Sequence, residues 1–219
     1  MNMKEAMKQR HMVRKYTDQK LSKEDIQKIN NRLEEINQKH NLSMKLMVNN
    51  SEGVNAIFKL ILARGVQNYI ILAGDNKDSL GEDLGYFGAD IMLYAQTLGL
   101  NTWWVGGTYN RSVAQFVNNK KVIGIIAIGY GQTQGVQHKL RSPNDVSLYD
   151  GEMPQWFVDG VEAALLAPTA LNKQDFMVTG HNNKVKIECS KSIFAEANLG
   201  LVKYHFELGA GKNNFMWKE

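Results

Sequence analysis

The chain contains one cysteine, Cys189, in 219 residues. That excludes an internal disulfide framework and points to a reducing compartment. Cys189 lies in the alternating stretch KVKIECS. It reads as a small strand residue, because a reactive thiol needs an exposed, electropositive setting. Long apolar runs are also missing. No window approaches the roughly 20 apolar residues of a membrane span. The opening MNMKEAMKQRHMVRKY lacks the apolar core of a signal peptide. The expectation is a cytoplasmic protein with no membrane association. The five histidines, His11, His40, His138, His181 and His205, are scattered, and no pair has the helical spacing of metal ligands. No Ser-His-Asp or Cys-His arrangement is visible, so no metal site and no side-chain nucleophile is expected. The formal net charge of +4 suits an anionic ligand but is too mild to imply nucleic acid.

What is present is ordinary globular composition, 43% hydrophobic and 22% charged. It is enough for one sizeable core or two small intimate ones. LSKEDIQKINNRLEEI predicts a helix. Ser22 is its N-cap, Asp25 completes a variant capping box, and Leu21 and Ile26 have the spacing of a hydrophobic staple. Ile26, Ile29, Leu33 and Ile36 share one face. VQNYIILAG (66–74) reads as a strand, and GEDLGYFGADIMLYAQTLGL (81–100) as a helix closed by Gly99. NTWWVGG is a short strand running into two glycines, SVAQFVNN a brief helix, and KVIGIIAIGYG a strand buried on both faces. The polar stretch from Gly131 to Met153 reads as a linker or long functional loop. The pattern then restarts. A helix over 154–167 begins near Pro154. QDFMVTG and KVKIECS form a hairpin around His181-Asn182-Asn183, IFAEANLGLVKYHFELGAG is a helix ending at glycine, and NNFMWK is a last strand. DLGYFGADIMLYAQTLGL and NLGLVKYHFELGAG rhyme, each running from one Leu-Gly to another, as in an internal repeat.

Four clusters carry chemistry. QRHMVRKY sets Arg10, His11, Arg14 and Lys15 close together, and the planar arginine fork suits phosphate or carboxylate. The paired glycines of WWVGG let backbone approach a flat ligand. In QHKLRSP, Lys139 and Arg141 alternate, so an extended chain puts both on one side. In LLAPTALNKQDF, Pro168 turns Ala167 away from helical angles. Thr169, Asn172 and Gln174 then offer donors and acceptors. Taken singly, each also reads as a solvated face or an ordinary turn.

In combination and order they resemble the flavin-dependent nitroreductase family. RHMVRKY matches its opening Arg-x-Ser/Thr-x-Arg/Lys-x-Phe/Tyr segment. TLGLNTWWVGG matches its Leu-Gly helix end, strand and glycine turn. IIAIGYG matches its apolar strand ending in Gly-Tyr, KLR its later Lys-x-Arg, and APTALNKQDF its Ala-Pro-Ser-x-x-Asn-x-Gln-Pro-Trp. The last motif stands late in the chain, whereas the family has it after the first helix. Family members are intertwined dimers that share each flavin. The resemblance therefore implies an α+β, nitroreductase-like fold of mixed, mainly antiparallel sheets flanked by helices, with two pseudo-symmetric halves in one chain. Residues 1–143 carry the phosphate and N5 elements, and residues 144–219 form a shorter half with the Ala-Pro-Thr segment. Together they make one FMN-binding unit, with a monomer favoured over a homodimer.

Carried over by position, the resemblance implies that Arg10, Lys139 and Arg141 hold the FMN phosphate, with His11 and Met12 along the phosphate and ribityl chain. Arg14 faces the pyrimidine edge, where a cation raises the flavin potential. Backbone of Gly106 or Gly107 reaches N5, beside Trp104 and Val105. Pro168, Thr169 and Ala170 cover the flavin, and Asn172 and Gln174 fix that loop or touch the cofactor. Met12 and Ala170 replace hydroxyl residues, and Asp175-Phe176 replaces Pro-Trp. The implied activity is an FMN-dependent NADH or NADPH oxidoreductase. Hydride passes in ping-pong fashion through flavin N5 to a nitroaromatic, quinone or similar small-molecule acceptor. Met12 and Asp175 motivate the alternative, a non-catalytic flavin- or nucleotide-binding relative. A nucleic-acid binder is disfavoured by the apolar central strand and the absence of a recognition helix.

Overall fold

The computed structural model describes residues 1–55, 57 and 63–218. By contact the chain forms two compact units that interleave along the sequence. One holds Met1, Gln9–Leu80 and Ile91–Gln137; the other holds Asn2–Lys8, Gly81–Asp90 and His138–Glu219. These units are groupings by contact, whereas the division at 143/144 follows the sequence repeat. The elements in chain order are α1 (Met3–Gln9), α2 (Lys23–His40), β1 (Lys45–Met47), β2 (Tyr69–Gly74), α3 (Leu80–Thr97), β3 (Asn101–Val105), β4 (Lys121–Gly129), α4 (Pro143–Val146), β5 (Ser147–Asp150), α5 (Gln155–Leu165), β6 (Phe176–His181), β7 (Lys184–Cys189), α6 (Ala195–Ala210) and β8 (Met216–Trp217). No helix among the described residues is long and apolar enough to cross a membrane.

In the first unit, α2 starts as its sequence dictates. The Ser22 hydroxyl accepts from the Asp25 N–H at 2.9 Å and donates to the Asp25 carboxylate at 2.7 Å. Ile29, Leu33 and Ile36 are its buried stripe, and Asn41 closes it in a left-handed conformation. Strands β1-β2-β4-β3 form a wholly antiparallel sheet. Tyr69, Ile71 and Ala73 of β2, Ile125 and Ala127 of β4, and Trp103 and Val105 of β3 fill one core, together with Val13 and Tyr16. Ile70, Leu72, Ile126 and Ile128 alternate with them and are equally buried. Burial on both faces explains the unbroken apolar runs of β2 and β4. Each such side chain contributes about 2 kcal/mol by leaving water. The brief helix expected over 112–119 is a 3₁₀-helix at Arg111–Val117, ended by Asn118 and Asn119, both with left-handed φ.

In the second unit, β6 and β7 make the expected antiparallel hairpin, flanked by β5 parallel to β6 and β8 parallel to β7. The stretch expected to be a linker therefore contains helix α4 and strand β5. The last strand is shorter than expected, because Lys212–Asn214 forms a 3₁₀ turn before it. Phe176, Val178, Val185 and Ile187 form the buried face of the sheet, while Met177, Lys184 and Glu188 point outward. An aromatic cluster completes this core. Phe157 meets Phe206, Phe206 meets Phe215, and Phe215 meets Trp217 edge-on, at 4.8 to 5.9 Å between ring centres.

The two stretches that rhyme in sequence meet in this unit. A Cβ on Gly200 would lie 2.5 Å from the Tyr86 nitrogen and closer still to the Glu82 carbonyl oxygen. A Cβ on Gly85 would lie 3.0 Å from Ala197 Cα and closer still to the Ala197 carbonyl oxygen. Each glycine thus faces the carbonyl three residues before the other. Around this crossing, Tyr86 donates to Glu207 at 2.8 Å, Tyr204 donates to Asp90 at 2.8 Å, and Lys203 pairs with Glu82 at 2.6 Å.

Candidate functional site

In the first unit the segment Arg10–Thr17 is held by isolated backbone bridges. Met12 bridges Thr102 in parallel, Lys15 bridges Arg64, and Tyr16 bridges Gly131. The Val13 N–H donates to Thr102 O at 3.2 Å, and the Tyr16 N–H donates to Arg64 O at 2.9 Å. This pairing drives Val13 and Tyr16 into the core and leaves Met12, Arg14 and Lys15 exposed. The Arg14 guanidinium lies over the Trp103 ring, 5.3 Å from its centre, a cation–π contact.

Arg10 behaves differently. It is 5% exposed, and its Nε has no hydrogen-bond partner among the described residues. Burial pushes its guanidinium down to about 10, only partly offset by the nearby Tyr16 phenol. The same burial raises the Tyr16 hydroxyl above its usual range, and that hydroxyl donates to Ala127 O at 3.2 Å. Arg10 remains protonated at neutral pH. A buried cation without a carboxylate is costly unless an anion joins it.

Two residues that the sequence reading missed shape the wall beside this segment. Asn101 is 1% exposed. Its side-chain oxygen accepts from the Gly131 N–H at 2.9 Å, and its amide donates to Gln134 at 2.9 Å. That folds the 131–135 loop against the segment. Gly135, at φ +75°, lies so close that a Cβ would sit 2.8 Å from Met12 O and 2.9 Å from His11 Cβ. A buried asparagine at a strand start, followed some thirty residues on by a Gly-Tyr-Gly turn, carries no signal until the two are folded together. Trp104 is half-buried and Val105 buried at the end of β3, and Gly106 and Gly107 form an accessible bend beyond it.

In the second unit the turn after α5 gathers the other expected residues. Ala167 ends the helical turn, Pro168 follows half-buried, and Thr169 is buried. Leu171, Asn172 and Gln174 all have left-handed φ, between 49° and 54°. Thr169 Oγ1 accepts from the Gln174 N–H at 3.1 Å, and the Ala170 N–H donates to Asn198 at 3.0 Å. The turn grips the segment carrying the two expected cations. Gln174 Nε2 donates to Lys139 O at 2.7 Å, and Asn172 Nδ2 donates to the same oxygen at 3.0 Å. The Arg141 N–H donates to Gln174 Oε1 at 2.9 Å, and Arg141 Nη1 donates to Gln174 O at 3.3 Å. The Lys139 side chain is exposed, and its ammonium has no partner among the described residues. A cleft of about 540 Å³ is lined by Arg141, by Lys4 and Lys8 of α1, and by Asp159 and Glu162 of α5.

Comparison with known proteins bears on the family and the fold. Residues 2–210 match the family described as "Putative TM nitroreductase". Among solved structures, the chain is similar to a "putative nitroreductase" of Thermotoga maritima at 22% identity and a TM-score of 0.69, covering 97% of this chain and 85% of that one. It is also similar to a "putative nitroreductase in complex with FMN" of Exiguobacterium sibiricum, at 18% identity and a TM-score of 0.53, covering 66% of this chain and 95% of that one. A "putative NADH dehydrogenase/NAD(P)H nitroreductase" of Bacteroides thetaiotaomicron gives 17% identity and a TM-score of 0.51, with 66% and 95% covered. No curated protein matches the sequence. At these identities the structural likeness is one of fold, and it is the α+β fold expected from the motifs. The family match spans nearly the whole chain, and on it this protein belongs to the nitroreductase family of oxidoreductases.

Proposed function

We propose that the chain is an FMN-dependent NAD(P)H oxidoreductase acting on a small-molecule acceptor such as a nitroaromatic or quinone. The observation that carries this reading is Arg10, a buried guanidinium whose Nε lacks a partner among the described residues. A phosphate monoester is the anion that such a fork suits. The FMN complex of the Exiguobacterium sibiricum relative supports the choice of flavin. The name of the Bacteroides thetaiotaomicron relative supports a nicotinamide donor.

When bound, FMN supplies hydride acceptance from NADH or NADPH and ping-pong delivery to the second substrate. This chain's residues do the rest. Arg10, Lys139 and Arg141 are the cations available to the phosphate. His11 and Met12 lie along the sugar-like chain, and Arg14 offers a cation to the ring's pyrimidine edge. Gly106 and Gly107 admit the flat ring system to backbone approach, next to Trp104 and Val105. Pro168, Thr169 and Ala170 exclude water from the ring. The protein works as a cytoplasmic monomer with one FMN per chain, its two halves standing in for two subunits, and it engages neither nucleic acid nor a membrane. The reciprocal Gly85–Gly200 crossing of the two rhyming helices supports that description.

A second reading, flavin or nucleotide binding without turnover, is favoured by Met12, an exposed thioether where the family motif has a hydroxyl. One experiment separates the two. Purified protein is titrated with FMN, and NADH or NADPH is added without oxygen. Binding with bleaching of the flavin absorbance is expected. Binding without bleaching favours the second reading, and no FMN binding refutes both flavin forms.

A further inference from the structure

Both polar atoms of the Gln174 side-chain amide have partners within the second unit. Its residue is 1% exposed. Oε1 accepts from the Arg141 N–H at 2.9 Å. Nε2 donates to Lys139 O at 2.7 Å and to Asn172 Oδ1 at 3.1 Å. Asn172 Nδ2 reinforces the grip on Lys139 O at 3.0 Å. No atom of the Gln174 amide is left over for a ligand. Arg141 is exposed and partly committed, since two of its five guanidinium N–H groups donate, to Gln174 O at 3.3 Å and to Asp145 O at 3.5 Å. Lys139 is exposed and its ammonium makes no bond among the described residues, while its backbone carbonyl is held by two amides.

We propose that Gln174, assisted by Asn172, is a positioning residue. It latches the Lys139–Arg141 backbone so that the Lys139 ammonium is presented to the phosphate end of the cofactor, without itself touching the flavin. This rests on the FMN reading above. The physical reason is entropic. A lysine on a floating loop loses loop and side-chain freedom when it meets a phosphate, whereas a latched backbone leaves only the side chain to be ordered.

The test compares two probes, FMN and riboflavin, which differ only by the phosphate. Dissociation constants are measured by flavin fluorescence for wild type, Gln174→Ala, Lys139→Ala and the double variant. Wild type is expected to prefer FMN. Gln174→Ala is expected to weaken FMN about tenfold, the scale of lost charge-assisted bonds, and to leave riboflavin within about twofold. The double variant is expected to bind FMN about as Lys139→Ala does, because the latch acts through that lysine. Equal loss of FMN and riboflavin in Gln174→Ala would assign Gln174 a ring contact or a general structural role and overturn the proposal. Additive losses in the double variant would overturn it too. Wild-type protein that binds neither probe refutes the flavin reading instead, a distinct result. Should Gln174→Ala fail to fold, Asn172→Gly removes the Asn172 bonds to Lys139 O and to Gln174 Nε2 at a residue whose φ of 53° glycine adopts without strain. It is expected to reduce FMN preference about threefold, and an unchanged preference would overturn the latch.

Discussion

Gly85 of α3 and Gly200 of α6 occupy the same place in two rhyming sequences, and each packs against the carbonyl three residues before the other. Neither position has room for a methyl group. Intrinsic propensity would favour alanine over glycine in a helix by about 1 kcal/mol. Here packing opposes propensity. Gly200→Ala is expected to destabilise the protein by about 2 kcal/mol, the range for forced overpacking. The urea midpoint would fall with an unchanged slope. A rise in the midpoint would show that the two helices separate at no cost.

Arg10→Met tests whether function and stability pull apart at the buried cation. The depression of the Arg10 guanidinium to about 10 means the folded chain disfavours its charge. Replacing it with an apolar side chain of similar length is expected to raise the stability of the flavin-free protein by about 1 kcal/mol or more. FMN affinity is expected to fall about 100-fold, as for loss of a buried charge partner. Melting curves with and without FMN read both effects, since a ligand stabilises only the state that binds it.

High pH is expected to weaken the fold. Burial, then Asp175 and Glu82, push the Cys189 thiol up to about 12, and burial and Glu52 push Tyr69 up to about 12. Burial also raises Tyr16 and Tyr86. Groups raised on folding stabilise fully below their unfolded values and lose that stability as pH rises toward the folded ones. For Cys189 the loss runs from about 9 to about 12 and for the tyrosines it begins near 10, while Arg10 alone works the other way above about 10. Urea midpoints should therefore hold to about pH 9 and then decline. Cys189→Ala should move the onset up to about pH 10. Native protein at pH 8 should also react with a thiol reagent far more slowly than unfolded protein does.

Leu171 is 86% exposed and has a φ of 54°. A branched apolar residue gains nothing from that exposure and is strained in the left-handed region. Leu171→Asn is expected to stabilise the protein by about 0.5 to 1 kcal/mol, seen as a raised thermal midpoint. A lower midpoint would mean that the leucine side chain has a partner.

Long periodic elements were legible in the sequence for plain reasons. The α2 helix announces itself through Ser22 and Asp25, and both capping bonds form. The strands β2 and β4 announce themselves through unbroken apolar runs. Four elements escaped, namely α1, β1, α4 and β5. Helix α1 has a reciprocal box, with the Asn2 side chain accepting from Glu5 N–H and Glu5 accepting from Asn2 N–H, both at 2.9 Å. That Asn-x-x-Glu signal stands in the sequence, but the helix it opens has only seven residues and the sequence gives it no long apolar periodicity. Strand β5, SLYD, is four residues long and exists because β6 lies beside it, a partner no local pattern reveals. At the candidate site the residue types were legible from the motifs, but burial was not. QRHMVRKY gives no hint that Arg10 is buried while Arg14, four residues on, is exposed.

The Asn172 and Gln174 side chains hold Lys139–Arg141 through the Lys139 carbonyl and the Arg141 amide N–H. All twenty amino acids carry the first of these groups, and all but proline the second. The grip is therefore blind to the identity of the side chain it presents. Evolution and protein engineering alike can exchange Lys139 for a neutral or acidic residue while the turn keeps its shape, so the charge offered there is a replaceable fitting on a permanent mount.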